Sequence, residues 1–201
     1  MKKILLFTAL ILGWSISGAY AQMHIGIKAG ANIATAKFIA NYEADIGSVA
    51  GLYVGPYVNI DLSDKLLVQP ALLYSMEGYQ YDHPSLDEDP RFGNNYLTLP
   101  VVLRYRVINE WYLEAGPRIG FLLSSRNKLA DVDAKHLFKN MDVGLSLGAG
   151  YQFANGLAAE ARYHFGLINF DSDDDDEDGS LKSRVFSIGI AYVMGEIPTQ
   201  K

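Results

Sequence analysis

From residue 24 onward, apolar and polar positions alternate with a period of two, the spacing of β-strands, in segments long enough for the roughly 9–11 residues that a tilted membrane-crossing strand needs. Eight such segments stand out, over 24–34, 49–62, 66–81, 96–107, 111–124, 141–153, 157–169 and 184–194. In the first, Ile25, Ile27, Ala29, Ala31 and Ile33 share one face, and His24, Gly26, Lys28, Gly30 and Asn32 share the other. The sixth sets Val143, Leu145, Leu147, Ala149, Tyr151 and Phe153 against Asp142, Gly144, Ser146, Gly148, Gly150 and Gln152. The third is the least regular, because Leu67 and Leu73 fall on the face that also holds Gln69, Ser75 and Glu77.

Alternation alone fits a soluble sandwich as well as a barrel. The connections separate the two. They alternate between long (about 35–48, 82–95, 125–140 and 170–183) and short (63–65, 108–110 and 154–156), and the short ones carry turn residues such as Ser63-Asp64-Lys65 and Ala154-Asn155-Gly156. Long extracellular loops and tight periplasmic turns are the signature of an outer-membrane barrel. Tyr105, Trp111, Tyr151, Phe153 and Tyr192 all face outward by parity near the short-turn end, where an interfacial girdle belongs. The pattern therefore predicts an all-β fold, an eight-stranded antiparallel transmembrane β-barrel spanning 22–194. Prolines at 56, 70, 100 and 117 interrupt it, and they are expected at bulges or near the loop ends of strands.

The N-terminus supports export. Met1-Lys2-Lys3 is basic, Ile4 to Ile16 is an apolar run too short to span a bilayer, and Ala19-Tyr20-Ala21 offers a cleavage site, so 1–21 reads as a signal peptide. Residues 195–201 form a short polar tail. The 201-residue chain has no Cys, which excludes a disulfide framework and thiolate chemistry. A net charge of −6 argues against nucleic acid as a partner. The expected location is the outer membrane of a Gram-negative bacterium, with outer-membrane lipid and lipopolysaccharide as surroundings.

The polar face of the strands must then be the lumen. It carries Lys28, Arg104, Arg106, Arg118 and Arg162 among Glu77, Glu114, Asp142 and Glu160, with His164 on the same face. Eight strands enclose only enough space for side chains. These charges are expected to pair, because an unpaired buried charge costs several kcal/mol. A lipid-modifying hydrolase needs a Ser/His/acid set facing lipid, yet His164 points inward and no outward Ser lies near it. No catalytic residue and no cofactor are expected. His83 and His136 lack partners at zinc-ligand spacing. The acidic run from Asp171 to Asp178 is read mainly as a solvated loop tip; Asp173, Asp174, Asp175, Asp176 and Asp178 are its candidates for loose divalent-cation binding, including cations that bridge lipopolysaccharide.

Several runs resemble the PorT-like outer-membrane β-barrel family common in the Bacteroidetes. They are Gly26-Ile27-Lys28-Ala29-Gly30-Ala31-Asn32, Val68-Gln69-Pro70-Ala71-Leu72-Leu73-Tyr74, Tyr96-Leu97-Thr98-Leu99-Pro100, Glu114-Ala115-Gly116-Pro117 and Gly144-Leu145-Ser146-Leu147-Gly148-Ala149-Gly150-Tyr151. The resemblance implies a non-enzymatic envelope scaffold or surface-loop binding protein, with a secretion or envelope protein as partner. Transport of small solutes or hydrophobic compounds is the alternative expectation, and a lipid-modifying hydrolase the third. Phe186 to Met194 resembles the C-terminal signal of outer-membrane barrels, which implies recognition by the barrel-insertion machinery.

Overall fold

The computed structural model describes residues 23–39, 46–81, 91–127, 132–169 and 180–194. The expected signal peptide, the polar tail, His83 and the acidic run with Asp173, Asp174, Asp175, Asp176 and Asp178 lie outside them. Ten strand segments form one antiparallel sheet: β1 (Met23–Ile39), β2 (Ile46–Ser63), β3 (Leu66–Pro70), β4 (Leu73–Tyr81), β5 (Arg91–Ile108), β6 (Trp111–Asn127), β7 (Val132–Asp133), β8 (Met141–Gln152), β9 (Leu157–Gly166) and β10 (Ser180–Met194). The sheet closes on itself because β1 pairs with both β2 and β10.

The barrel has eight staves. β3 and β4 are two halves of one, since both pair with β5 in a single register that runs from Leu66↔Tyr105 through Pro70↔Val101 to Leu73↔Thr98. β7 is a two-residue addition beside the loop end of β6. Following partners once round, Met23 leads through Ile60, Val68, Leu103, Ala115, Leu147, Tyr163 and Phe186 to Ile33, ten residues further along β1. With about 3.3 Å per residue and about 4.8 Å between strands, that stagger tilts the strands by about 40° and sets the backbone cylinder at about 8 Å radius.

Two expectations change. Strands β1, β2, β5, β6 and β10 run several residues further into the segments read as long loops, β1 to Ile39 and β2 back to Ile46, for instance. The alternation that marks a membrane stave fades there because the outward face leaves the hydrocarbon while the inward face turns apolar, with Ala36, Phe92 and Leu181 buried on it. The prolines, expected at bulges or near loop ends, sit at mid-barrel, with Pro56, Pro70 and Pro100 around an interruption of the ladder. The Ala71 amide donates to the Pro100 carbonyl and the Leu72 amide to the Pro56 carbonyl, each at 3.0 Å. Neither proline has an N–H to return the second bond of its pair, and the third stave breaks between β3 and β4 at these two residues. Pro117 faces a similar gap, for the β5–β6 pairing skips from Pro100↔Arg118 to Leu103↔Ala115.

The outer wall is apolar. Ile25, Ile27, Leu52, Leu99, Leu113, Leu147, Ile188 and Ile190 are exposed on it, and the outward rows cover about 25 Å along the axis, the height of an outer-membrane hydrocarbon band. At the turn end stand Tyr105, Trp111, Phe153 and Tyr192, with Tyr151 packed edge-on against Trp111 (5.2 Å between centroids) and Phe153 (4.9 Å).

Candidate functional site

Because side chains alternate across every stave, the inward residues of all eight meet in one lumen, and its chemistry is layered along the axis. At the turn end a cavity of about 330 Å³ opens among His24, Asn59, Asp61, Lys65, Glu110 and Gln152, with Arg104 and Tyr112 at its floor. Arg106, expected in the buried charge network, stands at this rim instead. Its Nη1 donates to the Asp64 carbonyl at 2.9 Å, because the register sets position 106 beside the turn at 64–65 rather than opposite a carboxylate.

Above the cavity lies a first buried network of three cations and two carboxylates. Lys28 Nζ is 3.1 Å from Glu160 and 2.7 Å from the Gln69 side-chain oxygen. Arg104 reaches Glu114 at 3.0 Å and Glu160 at 3.6 Å, and Arg162 bridges the same carboxylates at 2.6 and 3.4 Å. The Arg104 guanidinium also lies 3.7 Å from the centroid of the Tyr112 ring, a cation–π contact that holds it in the lumen. Tyr53 donates to Glu160, and Gln69 to Asn59. Every charged group here has at least two partners, which is what offsets the desolvation of buried ions.

A second network sits toward the loop end. Arg118 pairs with Glu77 and, at 3.4 Å, with Asp142. His164 Nε2 lies 3.3 Å from Asp142, and Ser183 donates to the same carboxylate at 2.9 Å. Ser75 donates to Glu77, and Asn32 extends the chain to Ser75 and Ser187. Over both networks four cations (Lys28, Arg104, Arg118, Arg162) meet four carboxylates (Glu77, Glu114, Asp142, Glu160), so the two buried networks together are balanced in formal charge.

One grouping escaped the sequence reading. Ser146 Oγ is 3.5 Å from His164 Nδ1, so Ser146, His164 and Asp142 line up as a serine, an imidazole and an acid. The clue was present in the register, which makes Ser146 and His164 cross-strand partners. Ser146 is 0% exposed, and the nearest cavity is about 30 Å³, room for roughly two water molecules.

An apolar lid closes the loop end. The segment after β6 folds inward through β7 and a short 3₁₀ turn at Lys135–Leu137, with the Ala134 amide donating to the Ser125 carbonyl. This brings Phe138 against Tyr79 (6.1 Å between centroids) and Phe92 (5.7 Å), over Tyr96, Leu122 and Leu181.

Among curated proteins none matches the chain in sequence. Solved structures do match. Neisserial surface protein A superposes with a TM-score of 0.59 at 16% identity, over 85% of this chain and 97% of that one. OprG of Pseudomonas aeruginosa gives 0.48 at 11% identity over 89% and 99%, and Ail of Yersinia pestis 0.47 at 17% over 86% and 99%. The first likeness bears out the barrel architecture. A family model described as an outer membrane protein beta-barrel domain matches residues 20–172, and the chain accordingly belongs to that family, placed in the outer membrane of Gram-negative bacteria.

Proposed function

We propose that this barrel is a non-enzymatic envelope scaffold that works through its extracellular loops, binding a secretion or envelope protein as the PorT-like resemblance suggests. The observation that carries the reading is a lumen blocked twice, by interlocked ion pairs at mid-height and by the Phe138 lid at the loop end. A solute path would have to break several buried ion pairs, each costly to separate. A hydrolase acting through Ser146 would have to admit lipid to a residue with no exposed surface.

Planar-bilayer recording of the full folded chain tests this. The expected trace is flat, without discrete conductance steps at ±100 mV. Reproducible steps would move the assignment to transport. A pull-down from intact outer membranes, with the folded barrel as bait, should then recover a defined envelope protein whose capture is lost when the extracellular loops are shortened.

A further inference from the structure

The apolar wall ends in cations on one side of the barrel. On the β1–β10 pair, Ile33 and Phe186 face each other across the ladder as outward apolar residues, 53% and 40% exposed. Two and four positions further toward the loops, the same outward rows hold Thr35 opposite Arg184 and Lys37 opposite Lys182. Lys37 is exposed, and Lys182 and Arg184 are half-buried. Like charges directly opposite each other on a sheet disfavour the pairing, and among the described residues no carboxylate forms an ion pair with any of the three. Arg184 is held in place rather than neutralised. Its Nη1 donates to the carbonyls of Gly166 at 3.1 Å and Ser183 at 2.8 Å, and its guanidinium lies 5.6 Å from the Phe165 ring.

The height of this cluster identifies what it meets. Counting along the axis from the Trp111 girdle, the outward apolar row of β10 ends at Phe186 about 20 Å up, and Arg184, Lys182 and Lys37 follow at about 24–33 Å, across the upper edge of an outer-membrane hydrocarbon band of about 25 Å and into the outer-leaflet headgroups. Long basic side chains at such a boundary reach into the headgroup layer, where anionic groups attract them. We propose that Lys37, Lys182 and Arg184 form a docking site for the phosphate of an outer-leaflet glycolipid. Arg184 supplies a fixed fork, the two lysines supply flexible point charges, and Phe165 and Phe186 supply the apolar surface against which the first acyl carbons pack. This assignment does not depend on whether the lumen conducts.

Full-length barrel folded in phosphatidylcholine nanodiscs, doped with lipid A or with the same glycolipid stripped of phosphate, provides the test by native mass spectrometry. The wild-type barrel is expected to retain lipid A at least tenfold more than the stripped form. In K37Q/K182Q/R184Q that preference should vanish, with unboiled gel mobility reporting that the variant is folded; K182Q alone should weaken retention severalfold. Inorganic phosphate at 10 mM should not displace the lipid. Equal retention of the two glycolipids overturns the proposal, as does displacement by free phosphate. An unchanged preference in the folded triple variant also overturns it.

Discussion

Glu114 is the residue on which the first lumenal network turns, since it accepts from Arg104 and from Arg162 at once. Glu114→Gln leaves Lys28 and two buried guanidiniums sharing Glu160, and removing one partner of a buried pair costs about 3–5 kcal/mol. A large downward shift of the urea unfolding midpoint in lipid vesicles is expected. Glu110→Gln, at the rim, should change the unfolding free energy by no more than about 0.5 kcal/mol, leaving the midpoint nearly in place. Equal shifts would show that the network is not coupled. Packing sets a second demand at this scale. Gly30 and Gly189 are cross-strand partners beneath the Tyr53 ring, and a Cβ on Gly189 would stand 2.2 Å from Tyr53 Oη and 2.5 Å from the Ala29 carbonyl. Tyr57 over Gly26 and Tyr112 over Gly150 repeat the arrangement. Gly189→Ala should therefore destabilise by about 1–3 kcal/mol, whereas Tyr53→Phe, which loses only the bond to Glu160, should cost about 1 kcal/mol. The same unfolding titration ranks the two, and a larger loss in the phenylalanine variant would refute the packing account.

At the scale of elements, the third stave explains how a closed barrel tolerates prolines without a free edge. Pro56 and Pro100 flank Ala71 and Leu72 from opposite sides, so two of the missing donors fall together at one break in the ladder. The Ala71 and Leu72 amides should be protected in hydrogen exchange despite lying between two strands. Pro100→Ala should add a protected amide at position 100 bonded toward Ala71, read by solution NMR in micelles; a fast-exchanging amide there would mean that the break has another cause. Much of this architecture was legible beforehand. Parity assigns the face of Lys28, Glu77, Arg104, Glu114 and Asp142 from sequence alone, because a strand has only two faces. It does not assign their partners. Lys28 meets Glu160 across 132 positions of chain, and that encounter depends on a stagger accumulated over all eight staves. The same limit conceals the Ser146–His164 contact and the position of Arg106, which parity puts with the buried ions and the register puts beside the turn at 64–65. The prolines are visible in the sequence as a difficulty, but the convergence of Pro56 and Pro100 on Ala71 and Leu72 is not, since it too is a property of register.

For the whole molecule, the consequence is an asymmetric interior, open to water from the turn end and sealed by apolar contact at the loop end. Asn59 is 7% exposed and lines the lower cavity, while Ser125 is 1% exposed and donates to Asn94 beneath the lid. The chain has no Cys, so single-cysteine variants report on one position each. In folded barrels, Asn59→Cys should react with a small charged thiol reagent within minutes, and Ser125→Cys should stay unlabelled over hours. Removing the aromatic plug with Phe138→Ala strips the edge contacts with Tyr79 and Phe92 and should raise labelling at position 125 by at least tenfold while leaving position 59 unchanged. The ion-pair layer below would still keep that variant electrically silent, so labelling at 125 without conductance is the outcome that separates a lid from a gate. Rapid labelling of Ser125→Cys in the presence of Phe138 would show instead that the loop end is open, and the lumen would then be closed by charge alone.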